Sequence, residues 1–165
     1  MEIRRARPAD AAAIAEVHVR TWQTAYEHVF GAEQLATIDL DARTRRWEGW
    51  LDDGEHAFVA VDGGRIVAFA WVGASSEAAE KGELYAIYVL PNAWGSSAGT
   101  ELMQVALEAL RELGFGEATL WVLADNPRAR RFYEREGWVL DGARREGEHL
   151  GVATPELRYR IELSR

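Results

Sequence analysis

The stretch from Gly82 to Leu113, GELYAIYVLPNAWGSSAGTELMQVALEALREL, decides how this chain folds. Its first part, Leu84 to Leu90, is typical of a strand, and its last part has apolar residues at helical spacing. A turn of small residues, Gly95 to Thr100, lies between them. A helix that begins at such a bare turn leaves its first N–H groups free and places the positive end of its dipole there. The pattern therefore predicts a site for a phosphate-bearing ligand.

The turn matches neither of two common phosphate-binding fingerprints, because both the P-loop triplet Gly-Lys-Ser/Thr and the pattern G-x-G-x-x-G are absent. The six residues from Trp94 to Gly99 resemble motif A of the GNAT N-acetyltransferases. That motif reads Gln/Arg-x-x-Gly-x-Gly/Ala and grips the pyrophosphate of acetyl-CoA. Gly99 fits the pattern, whereas Trp94 replaces Gln/Arg and Ser97 replaces the first Gly.

A second segment, Leu120 to Trp138 (LWVLADNPRARRFYEREGW), resembles motif B of the same family. The matching features follow a strand in the family's order: Asn126, Ala129, Phe132, Tyr133, Gly137 and Trp138. Two motifs in the correct strand–helix context support each other. The resemblance covers nearly the whole chain, from residue 3 to residue 163.

The resemblance implies the GNAT fold, an α/β chain with a mixed, mostly antiparallel sheet of about seven strands and about four helices. The length of 165 residues is typical of one domain, so we expect a single acetyltransferase domain over residues 1–165. The local patterns predict the order β-α-α-β-β-β-α-β-α-β-β, with Asp10 as the first helix cap. The glycine- and charge-rich residues 141–155 are predicted as a loop between the last two strands.

Composition narrows the function classes. The net charge is −8 and the basic residues are interleaved with acidic ones, which argues against nucleic acid as a partner. No apolar run approaches the length of a membrane span, and MEIRRARPAD lacks a signal-peptide core, so we expect a cytoplasmic protein. The chain has no Cys, which excludes disulfides and a cysteinyl acyl-enzyme, and no His spacing suggests a metal. Exposed strand edges near the C-terminus are compatible with a homodimer.

The resemblance also implies which residues hold acetyl-CoA. Backbone groups of the central strand pair with the pantetheine arm, and N–H groups of the turn bind the pyrophosphate. Asn126 caps the following helix and, in the family, lies close to the pantetheine. The expected cofactor-binding residues are Ile87, Tyr88, Val89, Gly95, Ser96, Ser97, Ala98, Gly99, Thr100 and Asn126.

Two residues are expected to carry the chemistry. The family's matching Tyr donates a proton to the departing thiolate, a role that falls here to Tyr133. A base glutamate stands at the place of Glu83 in the histone-acetylating branch, where partial burial would raise its pKa. The alternatives are a packed aromatic residue for Tyr133 and a solvated carboxylate for Glu83.

The acceptor pocket is usually built by the first helices and the last strands. Trp22 and Tyr26 share a helix face at i, i+4 spacing and are expected to line it, although simple packing explains them equally well. His18 is expected on a helix surface. Further candidates for the pocket are His28, Phe30, Glu148 and His149.

The sequence thus predicts an N-acetyltransferase in which a primary amine, expected to be small, attacks acetyl-CoA directly in a ternary complex. Three alternatives remain at this point. The first is acetylation of a protein N-terminus or lysine, the second is a non-catalytic acyl-CoA-binding module, and the third is binding of another nucleotide at the turn. Specificity depends on loops that vary on one fold, so the acceptor stays open.

Overall fold

A computed structural model describes residues 1–163 of the chain. Its strands form one sheet in the order β1-β2-β3-β4-β5-β7-β6. The strands are β1 (Glu2–Arg5), β2 (His56–Asp62), β3 (Arg65–Ala74), β4 (Gly82–Val89), β5 (Glu117–Leu123), β6 (Val139–His149) and β7 (Val152–Glu162). The described part of the chain has six α-helices: α1 (Ala11–Ala25), α2 (Glu27–Phe30), α3 (Ala32–Leu35), α4 (Leu40–Asp52), α5 (Ala98–Glu112) and α6 (Pro127–Arg135).

The sheet is mixed, as predicted, and its single parallel pairing among the described residues creates the central cleft. β4 and β5 pair only at Gly82–Ala118 and Glu83–Thr119, while every other neighbouring pair is antiparallel. Beyond Glu83 the two strands separate. The β5-facing side of β4 is therefore left without a strand partner, and unpaired backbone groups of this kind can bind an extended ligand.

Two long helices pack on the strands that border this cleft. α1 packs against α4 and against β3 and β4, and α5 packs on β2, β3 and β4. The core contains large, fully buried side chains, among them Trp47, Phe69, Trp138 and Tyr159. Gly63 and Gly64 join β2 to β3 and Gly114 follows α5, and all three have the positive φ that such turns require, of 60°, 78° and 94°. Within residues 1–163, no helix is both long and apolar enough to cross a bilayer.

Three sequence predictions about local structure are wrong. Residues 141–155 are mostly strand, because β6 and β7 form a long hairpin that turns at Leu150 and Gly151. β6 is an edge strand, so many of its residues face water and its charges do not exclude a strand. The described helices number six instead of about four, because Gly31, with φ of 82°, separates the short α2 and α3.

The third error concerns Asp10, whose side chain makes no cap hydrogen bond to α1. It accepts hydrogen bonds from the Arg7 N–H and from both terminal nitrogens of Arg4. Asp10 therefore fixes β1 to the turn before α1. The cap of α4 is Asp39, whose side chain accepts from the Ala42 N–H at 3.1 Å.

Candidate active site

A cavity of about 670 Å³ lies where β4 and β5 separate. It brings together most of the residues that the sequence analysis selected from distant segments. The selected residues that line it are Trp22, Tyr26, Glu83, Ile87, Tyr88, Val89, Gly95, Ser96, Gly99, Thr100, Asn126 and Tyr133.

The turn before α5 forms one end of the cavity. Gly95 has a φ of 84°, a conformation that glycine adopts without strain, whereas Ser97 has an ordinary helical φ of −77°. The replacement of the motif's Gly by Ser97 therefore causes no backbone strain. Gly99 is needed for packing, because a Cβ there would lie 3.2 Å from the Phe132 ring of α6. The backbone N–H groups of Gly99 and Thr100 have no acceptor in the preceding turn.

Two of the predicted turn residues do not line the cavity. Ala98 is fully buried, and its N–H already lies 3.3 Å from the Ser96 hydroxyl. Ser97 directs its hydroxyl to the Glu101 carboxylate. Both residues begin α5, and the backbone contacts expected of them with a ligand stay predictions.

Arginines surround the same end of the cavity. Arg128, Arg131 and Arg135 follow each other at helical spacing on α6, and all three line the cavity. The Arg128 guanidinium lies 4.0 Å from the centre of the Trp94 ring, a cation–π contact. This cavity mouth is therefore cationic on a chain whose net charge is −8. Sequence reasoning missed Arg128 because its partner Trp94 is distant in the chain.

The exposed edge of β4 presents alternate peptide groups to the cavity. Leu90 N–H donates to Val67 of β3 at 2.8 Å, so the peptide groups of Val89 and Ile87 face the opposite, open side. The backbone of Tyr88 faces β3, and only its side chain reaches the cavity. The Val89 carbonyl already accepts from the Trp94 indole at 2.8 Å, which leaves its N–H for a ligand.

Tyr133 lies on α6 and lines the cavity. The residue is 8% exposed, and its ring packs near those of Trp138 and Tyr159. Among residues 1–163, no hydrogen bond is formed by its hydroxyl. Burial raises the pKa of the Tyr133 phenol well above its ordinary value, and the nearby Tyr88 raises it further. The phenol therefore remains protonated and has a proton available for a ligand atom.

Glu83 stands where β4 and β5 stop pairing. Its Oε1 is buried and has no hydrogen-bond partner among the described residues. Burial raises the pKa of Glu83, the Glu77 carboxylate raises it further, and Arg145, Ser75 and Ser76 oppose the rise. A carboxylate with a raised pKa is suited to accepting a proton near neutral pH.

Trp22 of α1 and Tyr26, which follows the last residue of α1, line the cavity on one side. The Trp22 and Tyr26 rings are 4.8 Å apart, as their spacing predicts, and the Trp22 indole donates to the Tyr88 hydroxyl. Tyr26 is almost fully buried and its hydroxyl accepts from Asn126 at 2.9 Å. Asn126 also caps α6 through the Ala129 N–H, so its side chain fixes α6 against α1.

Among the other acceptor-pocket candidates, only His149 lines the cavity. His28 lies near Asp125, and Phe30 is buried against Trp22 and Tyr26. Arg145, Glu156 and Trp121 also line the cavity and were not predicted. Arg145 and Glu156 face each other across β6 and β7. The sequence analysis missed this pair because it predicted a loop over residues 141–155.

His18 is not on the helix surface. Its ring stacks on Tyr88 at 5.1 Å, and its Nδ1 is buried without a partner among the described residues. Burial lowers the pKa of His18 to about 3, and the positive charge of Arg43 contributes. The imidazole is therefore neutral at physiological pH.

This burial predicts an acid-sensitive fold. In the unfolded chain His18 binds a proton near its ordinary pKa of 6.5, so stability falls below that pH by up to about 1.4 kcal/mol per pH unit until the folded pKa is reached. Urea unfolding should show that the wild type loses about 2 kcal/mol more than His18→Phe between pH 7 and 5. Equal losses in the two proteins would contradict the burial of a neutral imidazole.

The described residues contain no group of three or more His, Cys, Asp and Glu side chains arranged to hold a metal ion. The polar groups of the cavity are a cationic mouth, an open strand edge, an unpartnered phenol and a half-buried carboxylate. Together they can bind an elongated anionic ligand and exchange protons at its far end.

Comparison with known proteins agrees with this geometry. Residues 12–138 match the model of the acetyltransferase (GNAT) family. The chain is 33% identical over 128 residues to the N-acetyltransferase YuaI of Bacillus subtilis, a match that covers 76% of this chain and 73% of YuaI. It is 35% identical over 120 residues to the mycothiol acetyltransferase of Streptomyces scabiei, covering 72% of this chain but 38% of that protein.

A solved structure supports the fold. The yncA protein of Salmonella typhimurium, solved with its cofactor acetyl-CoA, superposes with a TM-score of 0.74 at 21% identity and covers 99% of this chain and 94% of its own. The predicted fold and enzyme class, an acetyl-CoA-dependent N-acetyltransferase, are thereby confirmed. The chain belongs to the GNAT acetyltransferase family.

Proposed function

We propose that this chain transfers the acetyl group of acetyl-CoA to the primary amine of a small molecule, by direct attack in a ternary complex. One observation carries the proposal. A single cavity is lined by the free helix turn at α5, the open edge of β4, the Tyr133 phenol and the Glu83 carboxylate. These are the groups that binding and transfer of an acyl thioester require.

The cavity-lining groups can bind the successive parts of acetyl-CoA, from its phosphates to its pantetheine arm. The N–H groups near Gly99 and Thr100, together with the arginines of α6, would hold the phosphates at the cationic mouth. The free N–H groups of Ile87 and Val89 would pair with the amides of the pantetheine arm. Asn126 would contribute by fixing the wall beside the arm. Gly95 and Ser96 shape the turn, and Ser97 and Ala98 start the helix whose dipole faces the phosphates.

The proposed chemistry uses two protein groups. Glu83 accepts the proton of the acceptor ammonium, directly or through water, so that the nitrogen attacks the thioester carbon. As the C–N bond forms and the C–S bond breaks, Tyr133 donates its proton to the departing sulfur. With no Cys in the chain, no cysteinyl intermediate is involved.

Trp22 and Tyr26 are proposed as part of the acceptor wall, with the Trp22 ring nearer the solvent. A small acceptor suits this wall because the Trp22 ring contacts both Tyr88 and His149, and all three side chains line the cavity. The relative from Streptomyces scabiei is named a mycothiol acetyltransferase, and the match covers 38% of its length. Acetylation of a protein N-terminus or lysine remains the alternative, and it would need an open groove for the peptide.

Initial-rate measurements of CoA release test the proposal. Small primary amines should support turnover, and varying both substrates should give intersecting lines that indicate a ternary complex. Release with peptides alone would favour the protein-acetylating alternative. Tight acetyl-CoA binding without release on any acceptor would instead indicate an acyl-CoA-binding module.

Arg128 provides a prediction for the phosphate end. Arg128→Ala should weaken acetyl-CoA binding about tenfold, because it removes a cation held against Trp94 beside the phosphates. Calorimetry should show no loss for acetyl-pantetheine, which lacks phosphates. Arg20→Ala is the control, since Arg20 pairs with Glu16 on the surface of α1. An equal loss for both ligands would contradict the phosphate contact.

Three further expectations stay predictions. We propose that residues 1–165 act as one acetyltransferase domain, since a single sheet connects β1 near the start of the chain to β7 near its end. A cytoplasmic location and a homodimer also remain to be tested. Neither nucleic acid nor a membrane is proposed as a partner.

A further inference from the structure

We infer that the acceptor amine also carries a carboxylate and that Arg145 binds this second group. The inference rests on the proposed transfer to a small amine and adds a feature that the amine must have. It begins with Arg145, a cation that lines the cavity but takes no part in binding acetyl-CoA or in the proton transfers proposed above.

The Arg145 side chain is held in a defined place. Its Nε donates to the Glu156 Oε1 across the β6–β7 pair at 2.6 Å, and Glu156 is only 6% exposed. The guanidinium carbon lies 4.2 Å from the centre of the Trp121 ring. A buried carboxylate and an aromatic face therefore fix the guanidinium plane before any ligand arrives.

The terminal nitrogens of Arg145 are available to a ligand. Across residues 1–163, no hydrogen bond is made by its Nη1 or Nη2, and the side chain is 47% exposed. A guanidinium presents its N–H groups in a planar fork that matches the two oxygens of a carboxylate. Since Nε is already bonded, the unused fork is the Nη1–Nη2 pair, which can bind a carboxylate in bidentate geometry.

The charges around Arg145 favour this assignment. Glu156 is balanced by Arg145 and by His149, whose Nε2 lies 3.3 Å from its Oε2. Glu83 lines the same cavity, and the positive charge of Arg145 lowers the pKa of its carboxyl group. One end of the cavity thus contains the Glu83 carboxylate, which can bind the ammonium group of the acceptor, and the Arg145 guanidinium, which can bind a carboxylate of the acceptor. An amino acid satisfies both, whereas a plain amine leaves the fork without a partner.

Matched acceptors test the inference. CoA release is measured with an amino acid, its amide and its decarboxylated amine, with rates compared per concentration of unprotonated amine. The amino acid should have a kcat/KM at least tenfold above those of the other two. Arg145→Gln should bring the three within about twofold, through KM more than kcat, with no change in acetyl-CoA binding.

Arg158→Gln is the matched control, because Arg158 also lies over Trp121, at 5.6 Å, but pairs with Asp141 and does not line the cavity. It should keep the preference for the amino acid. Equal use of all three acceptors by the wild type, or an unchanged preference in Arg145→Gln, would overturn the inference. Calorimetric titration of the CoA complex with the same three acceptors measures the binding preference without turnover. If the preference is present but no acetyl transfer occurs, the proposed function is contradicted and the inference about Arg145 is not.

Discussion

Tyr133→Phe is expected to lower kcat about 100-fold while changing the acetyl-CoA dissociation constant by less than about threefold, since a positioned acid contributes mainly in the transition state. The Tyr133 hydroxyl has no partner among the described residues and lines the cavity, so its proton is available to the departing sulfur. Its raised pKa keeps that proton bound until negative charge develops on the sulfur. Rapid-mixing measurements of CoA release report this step directly.

Tyr159→Phe is the matched control. The Tyr159 hydroxyl donates to Glu134 at 2.7 Å, accepts from Arg130 at 3.1 Å and does not line the cavity. Its loss should cost about 1–3 kcal/mol of stability and leave kcat unchanged. Tyr133→Phe should show the opposite pattern, with stability preserved and kcat reduced. A wild-type kcat in Tyr133→Phe would remove Tyr133 from the proton-donor role.

Glu83→Gln is expected to lower kcat/KM about 100-fold near neutral pH, because an amide does not accept the ammonium proton. Burial raises the pKa of Glu83, and the base acts only when it is deprotonated. Wild-type activity should therefore rise with pH through this raised pKa and then level off. The variant should lose this acidic limb, which a pH profile of kcat/KM would reveal.

Glu77→Gln provides the matched test of the electrostatic cause. The Glu77 carboxylate raises the pKa of Glu83, and its removal leaves the burial of Glu83 in place. The acidic limb should therefore move to lower pH while activity at high pH is retained. If the Glu83→Gln variant still shows the rise of kcat/KM with pH, a group other than Glu83 is the base.

The sequence was most informative where one segment contains both the strand and the helix that meet. The stretch from Gly82 to Leu113 predicted β4 and the end of α5 within two residues, because periodicity and glycine signals are local. The start of α5 was less well predicted, since the helix begins at Ala98, inside the predicted turn. The cap at Asn126 was equally local and is confirmed. These local signals placed most of the predicted site residues on one cavity.

Prediction was weaker where distant segments decide the structure. β6 was missed because an edge strand with many exposed residues lacks the apolar alternation of a buried strand. That error concealed the Arg145–Glu156 pair, which exists only through the register of β6 on β7. The stacking of Arg128 on Trp94 and of His18 on Tyr88 likewise depends on packing between elements.

In the segment that resembles motif A, two residues depart from the pattern that the family uses to bind acetyl-CoA. Trp94 replaces the family's Gln/Arg, yet its indole binds the Val89 carbonyl and its ring supports Arg128. Ser97 replaces the first Gly, yet its φ is negative and Gly95 supplies the positive φ. The turn therefore keeps its free N–H groups despite both replacements.

Calorimetric titration of the chain with acetyl-CoA tests this account most directly. We predict binding of one acetyl-CoA per chain, with adenine nucleotides unable to displace it at equal concentration because they lack the pantetheine arm that pairs with β4. Absence of binding would show that Trp94 and Ser97 have disabled the phosphate turn. That result would contradict the proposed function while leaving the fold unchanged.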